Sequence, residues 1–495
     1  MDMEKSKVLP YYIHSIIGIA IMIFFQFIPA PAPITQVGMA VLGVMLGMIY
    51  LWTFVDMVWP SFAAMVMFGF QALVVYPNSW QTAGIYEAGM EAFGNWIAIF
   101  ALGCMILTVA LQKTGLIRRI TYWFITRKVA KESAFGFSVM FLTATLVVSA
   151  FLDCVVAQFL MLGILHEIFD LFQFKKGDAW PRYMVMFTSF TVIIAFAMTP
   201  ICHTAALLFM AVYTGITGVP ANFLSYMAVG LPIGIVLFLL MLLYFRFAVK
   251  VDMSHFAEID MDELESRRPG KMEVAEKIVG IVCMTVLILW LIPGFLAIIA
   301  PASAAYAFMS NTMTDTAWLF IAIALLSVIH VDGKPILNLR EDLAKVDWGT
   351  YLFLASMMMI ASSLGEDATG IGAFIAVNVV PLVIGMNPFL VVTLIAVMAC
   401  VITNFFNNIP VGIIFTSVGV PLAIEMGINP FLVVVAICIG GNLAFTIPPA
   451  FVPIGVAYAD PYCKGSTILK NGLVMTVICV VILFAMIYPL GSVFL

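Results

Sequence analysis

The chain has 495 residues, of which 64% are hydrophobic and only 10% charged, with a formal net charge of −5. A soluble domain carries about 25% charged residues, so this composition excludes an ordinary soluble globule and points to an all-α polytopic membrane protein. The charge is spread over short loops with no basic face, which leaves no nucleic-acid partner. The eight cysteines form no Cys-x-x-Cys pair and lie almost entirely inside apolar runs, a spacing that suits neither a disulfide framework nor a zinc site.

In chain order, the N-terminal MDMEKSKVLPYYIHSIIG joins a mixed-charge head to an apolar run without a small-residue cleavage site. It reads as a first transmembrane helix rather than a removed signal peptide. Further apolar runs predict helices at 36–56, 58–76, 94–112, 134–172 (long enough for two limbs) and 183–214. The series continues at 224–249, 275–300, 316–330, 348–365, 390–425 (again two limbs), 430–458 and 470–494. Amphipathic, interfacial pieces are expected at 114–131 and 370–387, and one strongly polar linker, 250–277, divides the chain near its middle.

Lys and Arg cluster at 118–131, 175–182, 246–271, 334–345 and 464–470, whereas 77–93, 215–223, 301–315, 366–369 and 426–429 carry none. The positive-inside rule then puts the N-terminus in the cytoplasm and Leu495 outside. This holds only if 134–172 enters the membrane and returns to the same side, as a helical hairpin or a pair of spans.

Two polar knots interrupt the two-limbed runs, VVSAFLDCVVAQF at 147–159 and CVITNFFNNIPVGI at 400–413. Ser149 and Thr403 are 254 positions apart, as are Asp153 and Asn407, and Gly115 and Gly370 are 255 apart. With opposite charge bias around the matching segments, this is the pattern of two inverted-topology repeats. The first repeat covers 94–249, with hairpin 134–172 and broken helix 183–214; the second covers 278–495, with hairpin 390–425 and broken helix 430–458.

The helix breaks come from proline, in AFAMTPICHTA (195–205) and NLAFTIPPAFVP (442–453). Proline removes a helix hydrogen bond and frees carbonyls, which is tolerable in lipid where they line an enclosed cavity. Ser149, Thr199, Thr403, Thr446 and the amides of Asn404, Asn407, Asn408 and Asn442 add hard oxygen ligands suited to Na⁺. A lone carboxylate such as Asp153 near the bilayer centre costs several kcal/mol unless it is neutralised, paired or ligating a cation. Asp153 also suits the N-cap of the second limb, a role compatible with ion binding. His203, four residues after Thr199, is either a proton-sensitive substrate contact or a polar group bonded to a carbonyl; His166 and Glu167 are expected to be solvated.

Paired hairpins with SAFLDC and TNFFNN turns, each followed by a TP or TIPP break, resemble the ion transporter superfamily. The likeness is greatest to the divalent anion/sodium symporter family, the dicarboxylate permeases, and spans about 34–495, including DWGTYLFLAS and FTIPPAFVPIGVAYADPYCKGSTILKNGL. The resemblance implies a homodimer with a static scaffold, to which 1–93 mostly belongs, and an elevator-type transport domain holding both hairpins and both breaks. Dicarboxylate-transporting members show Ser-Asn-Thr at each turn; the matching positions here are Asp153-Cys154-Val155 and Asn407-Asn408-Ile409.

The expected ion-binding set is Ser149, Asp153, Cys154, Met198, Thr199, Thr403, Asn407, Asn408 and Thr446, with Na⁺ centred on Ser149 and Asp153 and on Thr403 and Asn407. The expected substrate contacts are Asp153, Asn408, Pro200, His203, Pro448 and Pro449. No nucleophile with a base, metal cluster or Walker loop indicates an enzyme or pump. The expected function is Na⁺-coupled symport of a small organic anion, a di- or tricarboxylate, across a bacterial cytoplasmic membrane. The alternative is a Na⁺/H⁺ antiporter of the same superfamily in which Asp153 carries either H⁺ or Na⁺.

Overall fold

The computed structural model describes residues 5–55, 58–69, 84–201, 203–249, 251, 269–300, 302–346, 348–364, 367–378, 381, 385–448 and 450–495. Most of the polar linker and Pro449 lie outside the described residues. The fold is helical apart from a two-stranded antiparallel ribbon, His330–Val331 with Lys334–Pro335. Asp332 and Gly333 turn that ribbon with positive φ of 51° and 76°, the conformation that Asp-Gly favours in tight hairpins. Six helices of the described residues are long and apolar enough to cross a membrane, or seven if one bent pair is a single span.

Both two-limbed runs are broken where the polar knots lie. The first hairpin joins Ala134–Ser149 to Cys154–Leu171, and the second joins Pro388–Thr403 to Asn408–Glu425. Asp153 caps the second limb of the first by accepting the Val155 N–H at 2.9 Å. Asn407 does the same for Ile409 at 3.0 Å in the second. Such caps satisfy an N–H that has no partner inside its own helix.

Both proline breaks are present. Ala179–Met198 stops at Thr199, which is extended (φ −134°, ψ 149°), and Thr204–Thr217 follows. Pro430–Asn442 resumes as Val452–Ala459. The first limb of the second hairpin and the first half of the second broken helix begin with the same six residues, NPFLVV, at 387–392 and 429–434. Each time Asn caps the N–H of the Phe two residues on, at 2.9 Å, and Pro takes the first helical turn, where its missing N–H costs nothing. These two helices pack on one another, and Gly440 rests on the Ala396 carbonyl so closely that no Cβ would fit.

One sequence expectation is corrected here. The connection 77–93 contains a helix, Gly84–Phe93, bent 49° from the span that follows it. Its amphipathic spacing hides among glycines and glutamates, and Glu87 and Ala88 are buried. Of the two pieces expected to be interfacial, 114–131 contains the helices Leu116–Ile125 and Lys128–Glu132, and 370–387 contains Ile371–Asn378.

Residues from the basic connections bind one another. Lys113 and Lys345 both donate to Asp342, at 2.9 and 2.8 Å, and Arg119 donates to Glu276 at 2.8 Å. His166 lies 2.9 Å from the buried Asp460 carboxylate, so it is docked rather than solvated as expected; Glu167 pairs with Arg118 on the surface. Asn429 Nδ2 donates to the Leu495 carbonyl at 2.8 Å, and Trp290 Nε1, on the Val274–Ile299 helix, donates to the Asp315 carbonyl at 2.9 Å.

Candidate functional site

Each hairpin tip is tied to its own break by the same hydrogen bond. Thr199 Oγ1 donates to the carbonyl of Ala150, the residue after the first limb of the first hairpin, at 2.6 Å. Thr446 Oγ1 donates to the carbonyl of Asn404, which holds the equivalent place in the second hairpin. A freed carbonyl at the end of each limb therefore finds a hydroxyl from the neighbouring break, as buried backbone groups require.

The remaining ties differ. At the first tip the imidazole of His203, fully buried, lies among four carbonyls. Nδ1 faces Phe196 (3.0 Å) and Thr199, and Nε2 faces Ser149 (3.0 Å) and Leu152 (3.2 Å). Whichever nitrogen carries the proton has a carbonyl to receive it, and the ring stacks on Phe196 with centroids 4.3 Å apart. At the second tip Asn404 has this role from the hairpin side. Its Nδ2 donates to the carbonyls of Cys400 (2.8 Å) and Leu443 (3.0 Å), and its Oδ1 accepts the Phe445 N–H at 2.8 Å. Asn408 adds two more ties, donating its N–H to the Ala450 carbonyl at 3.1 Å and its Nδ2 to Asn442 Oδ1 at 2.9 Å.

The two assemblies meet through the breaks. Phe196 and Phe451 contact edge to face at 5.3 Å, and Phe190 and Phe445 do so at 5.1 Å. Phe209, on the helix after the first break, fills the space beside Gly412 of the second hairpin. Both tips thus belong to one packed body built around the two breaks.

Several expected ion ligands have matching geometry. Ser149 and Thr403 each end a first limb, and each has a buried hydroxyl oxygen with no hydrogen-bond partner among the described residues. Buried polar groups are rarely left so, and of the buried hydroxyls without a partner among the described residues these two hold equivalent places in the hairpins, where their oxygens are of the kind that suits Na⁺. Asp153 and Asn407 bring carboxylate and amide oxygens as the last residue of each turn, and Thr199 and Thr446 bond to the first residue of the same turns. Cys154 is buried at the start of the second limb.

Other expected residues are placed elsewhere. The Met198 side chain packs against Gly234 and its carbonyl faces Gly230, so it serves the contact with the Phe223–Tyr244 helix rather than the hairpin tip. Pro200 is buried within the break and accepts the His203 N–H at 3.3 Å. Pro448 is exposed, and Pro449 lies outside the described residues. His203, with each ring nitrogen facing carbonyls of the first hairpin or its break, is a staple within the packed tip, the second of the two roles expected for it.

Beside the first tip is a cavity of about 110 Å³ lined by Asp153, Thr108, Gln112, Thr204 and Lys345, with apolar residues between them. Cys104, Thr108 and Gln112 recur every fourth residue on the Trp96–Thr114 helix, which gives the cavity one continuous wall. Lys345 was missed by sequence reasoning, which found no basic residue in the apolar runs near Asp153; it reaches the cavity from a polar loop. Asn407 does not line this cavity; the two tips are joined through the packed breaks.

The family model described as the sodium:sulfate symporter transmembrane region matches residues 10–494. The chain belongs to this family of membrane transporters. It is 23% identical over 408 residues to the sodium-dependent dicarboxylate transporter SdcS of Staphylococcus saprophyticus, covering 80% of this chain and 76% of that protein. A shorter match, 25% over 150 residues, covers 30% of this chain and 26% of the Na(+)/citrate cotransporter of Rattus norvegicus. Among solved structures, the YdaH transporter of Alcanivorax borkumensis superposes with a TM-score of 0.57 at 14% identity, covering 86% of this chain and 97% of that one. MtrF of Neisseria gonorrhoeae gives 0.53 at 13%, covering 97% and 94%. These two likenesses speak to the fold alone.

Proposed function

We propose that this family member is a secondary active transporter that carries a small organic anion, of the di- or tricarboxylate class, together with Na⁺ across a bacterial cytoplasmic membrane. The observation that carries the reading is the matched pair of tips. Ser149 with Asp153, and Thr403 with Asn407, offer hard oxygens at equivalent turns, and two buried hydroxyls there have no protein partner among the described residues. Cations bound at both tips would offset the charge of an anion before it enters a low-dielectric interior. The names of the relatives, a sodium-dependent dicarboxylate transporter and a Na(+)/citrate cotransporter, support the same pairing of ion and substrate.

The architecture proposed with it is two inverted repeats, 94–249 and 278–495, in a homodimer. The body holding both hairpins and both breaks moves as an elevator against a scaffold formed mostly by 1–93 and its partner helices. The N-terminus is cytoplasmic and Leu495 external, as the distribution of Lys and Arg over the connections favours. Uptake into proteoliposomes tests the function: an inward Na⁺ gradient is expected to drive accumulation of labelled carboxylate, and choline in place of Na⁺ to abolish it. Na⁺-driven proton movement with no organic solute present, and no carboxylate uptake, would establish the antiporter instead.

A further inference from the structure

Away from both tips, a second cavity, of about 480 Å³, lies where the start of the Trp96–Thr114 helix meets Val274–Ile299 and the start of Asp315–Val328. Sites for small organic molecules span about 300–1,000 Å³. The stretches 215–223 and 301–315, which carry no Lys or Arg, supply much of its wall, so it lies toward the external side in the proposed orientation.

Trp96, Phe223, Trp290 and Tyr306 line this cavity. The first three form one connected wall. Trp96 and Phe223 have ring centroids 6.3 Å apart, and the buried Phe100 bridges Phe223 and Trp290 at 5.3 and 5.1 Å. Trp290 Nε1 donates to the main-chain carbonyl of Asp315 at 2.9 Å, which fixes its indole beside that residue. The Asp315 carboxylate itself has no hydrogen bond or ion pair with a described residue, and no Lys, Arg or His lines the cavity. Its place in the first turn of a helix makes the charge tolerable but supplies no counter-ion.

A carboxylate without a partner and the negative faces of aromatic rings attract the same kind of ligand, a cation. Hard metal ions ask for six or more oxygen ligands, whereas this wall is mostly aromatic and apolar. We propose that the cavity binds a small organic ammonium ion, with its N-alkyl groups against Trp96, Trp290 and Tyr306 and its charge toward Asp315. This site is separate from the hairpin tips and does not depend on the transport reading.

The test is thermal stabilisation of the purified full-length protein in KCl buffer by benzyltrimethylammonium chloride, against equal additions of KCl and of benzyl alcohol. The ammonium is expected to raise the melting temperature saturably, with its half-effect at a concentration about tenfold or more below that of either control. Asp315→Asn, which keeps the side-chain size, is expected to raise that concentration about tenfold. Tyr306→Leu is expected to raise it about threefold and Tyr306→Phe to leave it near wild type, since the ring and not the hydroxyl makes the contact. The Ser303 cap survives both changes, because it uses the Tyr306 main-chain N–H. If KCl stabilises as well, the site accepts any monovalent cation and the inference fails. If benzyl alcohol does as well, the cavity is merely apolar and it fails too. An unchanged half-effect in both Asp315→Asn and Tyr306→Leu would place the ammonium elsewhere and overturn the assignment. Should Asp315→Asn not fold, the Tyr306 pair and the two control solutes decide the outcome. None of these results touches the symport reading, which the uptake measurement decides.

Discussion

At the residue scale, two buried hydroxyls and one buried imidazole distinguish a ligand site from mere packing. If Ser149 and Thr403 ligate Na⁺, Ser149→Ala and Thr403→Ala should each raise the Na⁺ concentration for half-maximal uptake about tenfold, the loss of about one good polar interaction. Thr403→Ser should stay near wild type. The melting temperature in Na⁺-free buffer should barely move, because these hydroxyls bond nothing else among the described residues. An unchanged Na⁺ dependence would remove them from the ion sites. His203 calls for the opposite result. His203→Ala removes the N–H donor that serves a carbonyl of the first hairpin or of its break and empties a fully buried ring site, so it should destabilise the protein by about 2–4 kcal/mol. His203→Asn should recover part of this, as Asn404 does the comparable task at the second tip.

At the element scale, close approach of helices fixes where the hairpins sit. A Cβ at Gly440 would meet the Ala396 backbone carbonyl, which no rotamer change can move, whereas one at Gly412 would meet only the Phe209 ring. Gly440→Ala should therefore cost about 1–3 kcal/mol with no side-chain rescue, while Gly412→Ala should be relieved by Phe209→Leu. Melting of the two single variants and of Gly412→Ala with Phe209→Leu checks this difference. The loop bearing Lys345 is held by Asp342. Burial alone would raise the Asp342 carboxyl pKa, but hydrogen bonds from Lys345, Lys113 and the Asn338 N–H outweigh it and hold it below the ordinary carboxylate range. A depressed folded pKa means stability that is full above the unfolded value, near 3.9, and lost as pH falls through the folded one. Asp342→Asn should thus lower stability by about 1–2 kcal/mol, given that both lysines are partly exposed. The difference from wild type should be constant from neutral pH to about pH 4 and shrink only below that.

At the scale of the whole molecule, the two hairpins and two breaks are tied by like bonds, Thr199 to Ala150 and Thr446 to Asn404, and locked together by Phe196 against Phe451. These ties favour movement of the body as a unit, which the proposed elevator would require. The proposed orientation has a direct check. In intact cells a membrane-impermeant thiol reagent should label Ser492→Cys, near the C-terminus, and should reach Glu341→Cys only after permeabilisation. Both positions are exposed in the structure.

The sequence by itself determined the class and the positions of the elements. The long apolar runs leave helices as the way to satisfy backbone groups in lipid, and the polar knots and prolines mark where those helices must stop. Both hairpins, both breaks and the capping place of Asp153 were legible because they depend on chemistry within a few residues of chain, while the matching cap of Asn407 was local too and overlooked. The repeated NPFLVV starts were equally local signals, present in the sequence and overlooked. Only the tertiary structure decided which residues face one another. The roles of His203 as a staple, Met198 as a packing residue against Gly234 and Lys345 as a neighbour of Asp153 depend on segments far apart in the chain. No local pattern records such meetings, because side-chain direction across a helix contact is set by the partner helix rather than by the residue's own neighbours.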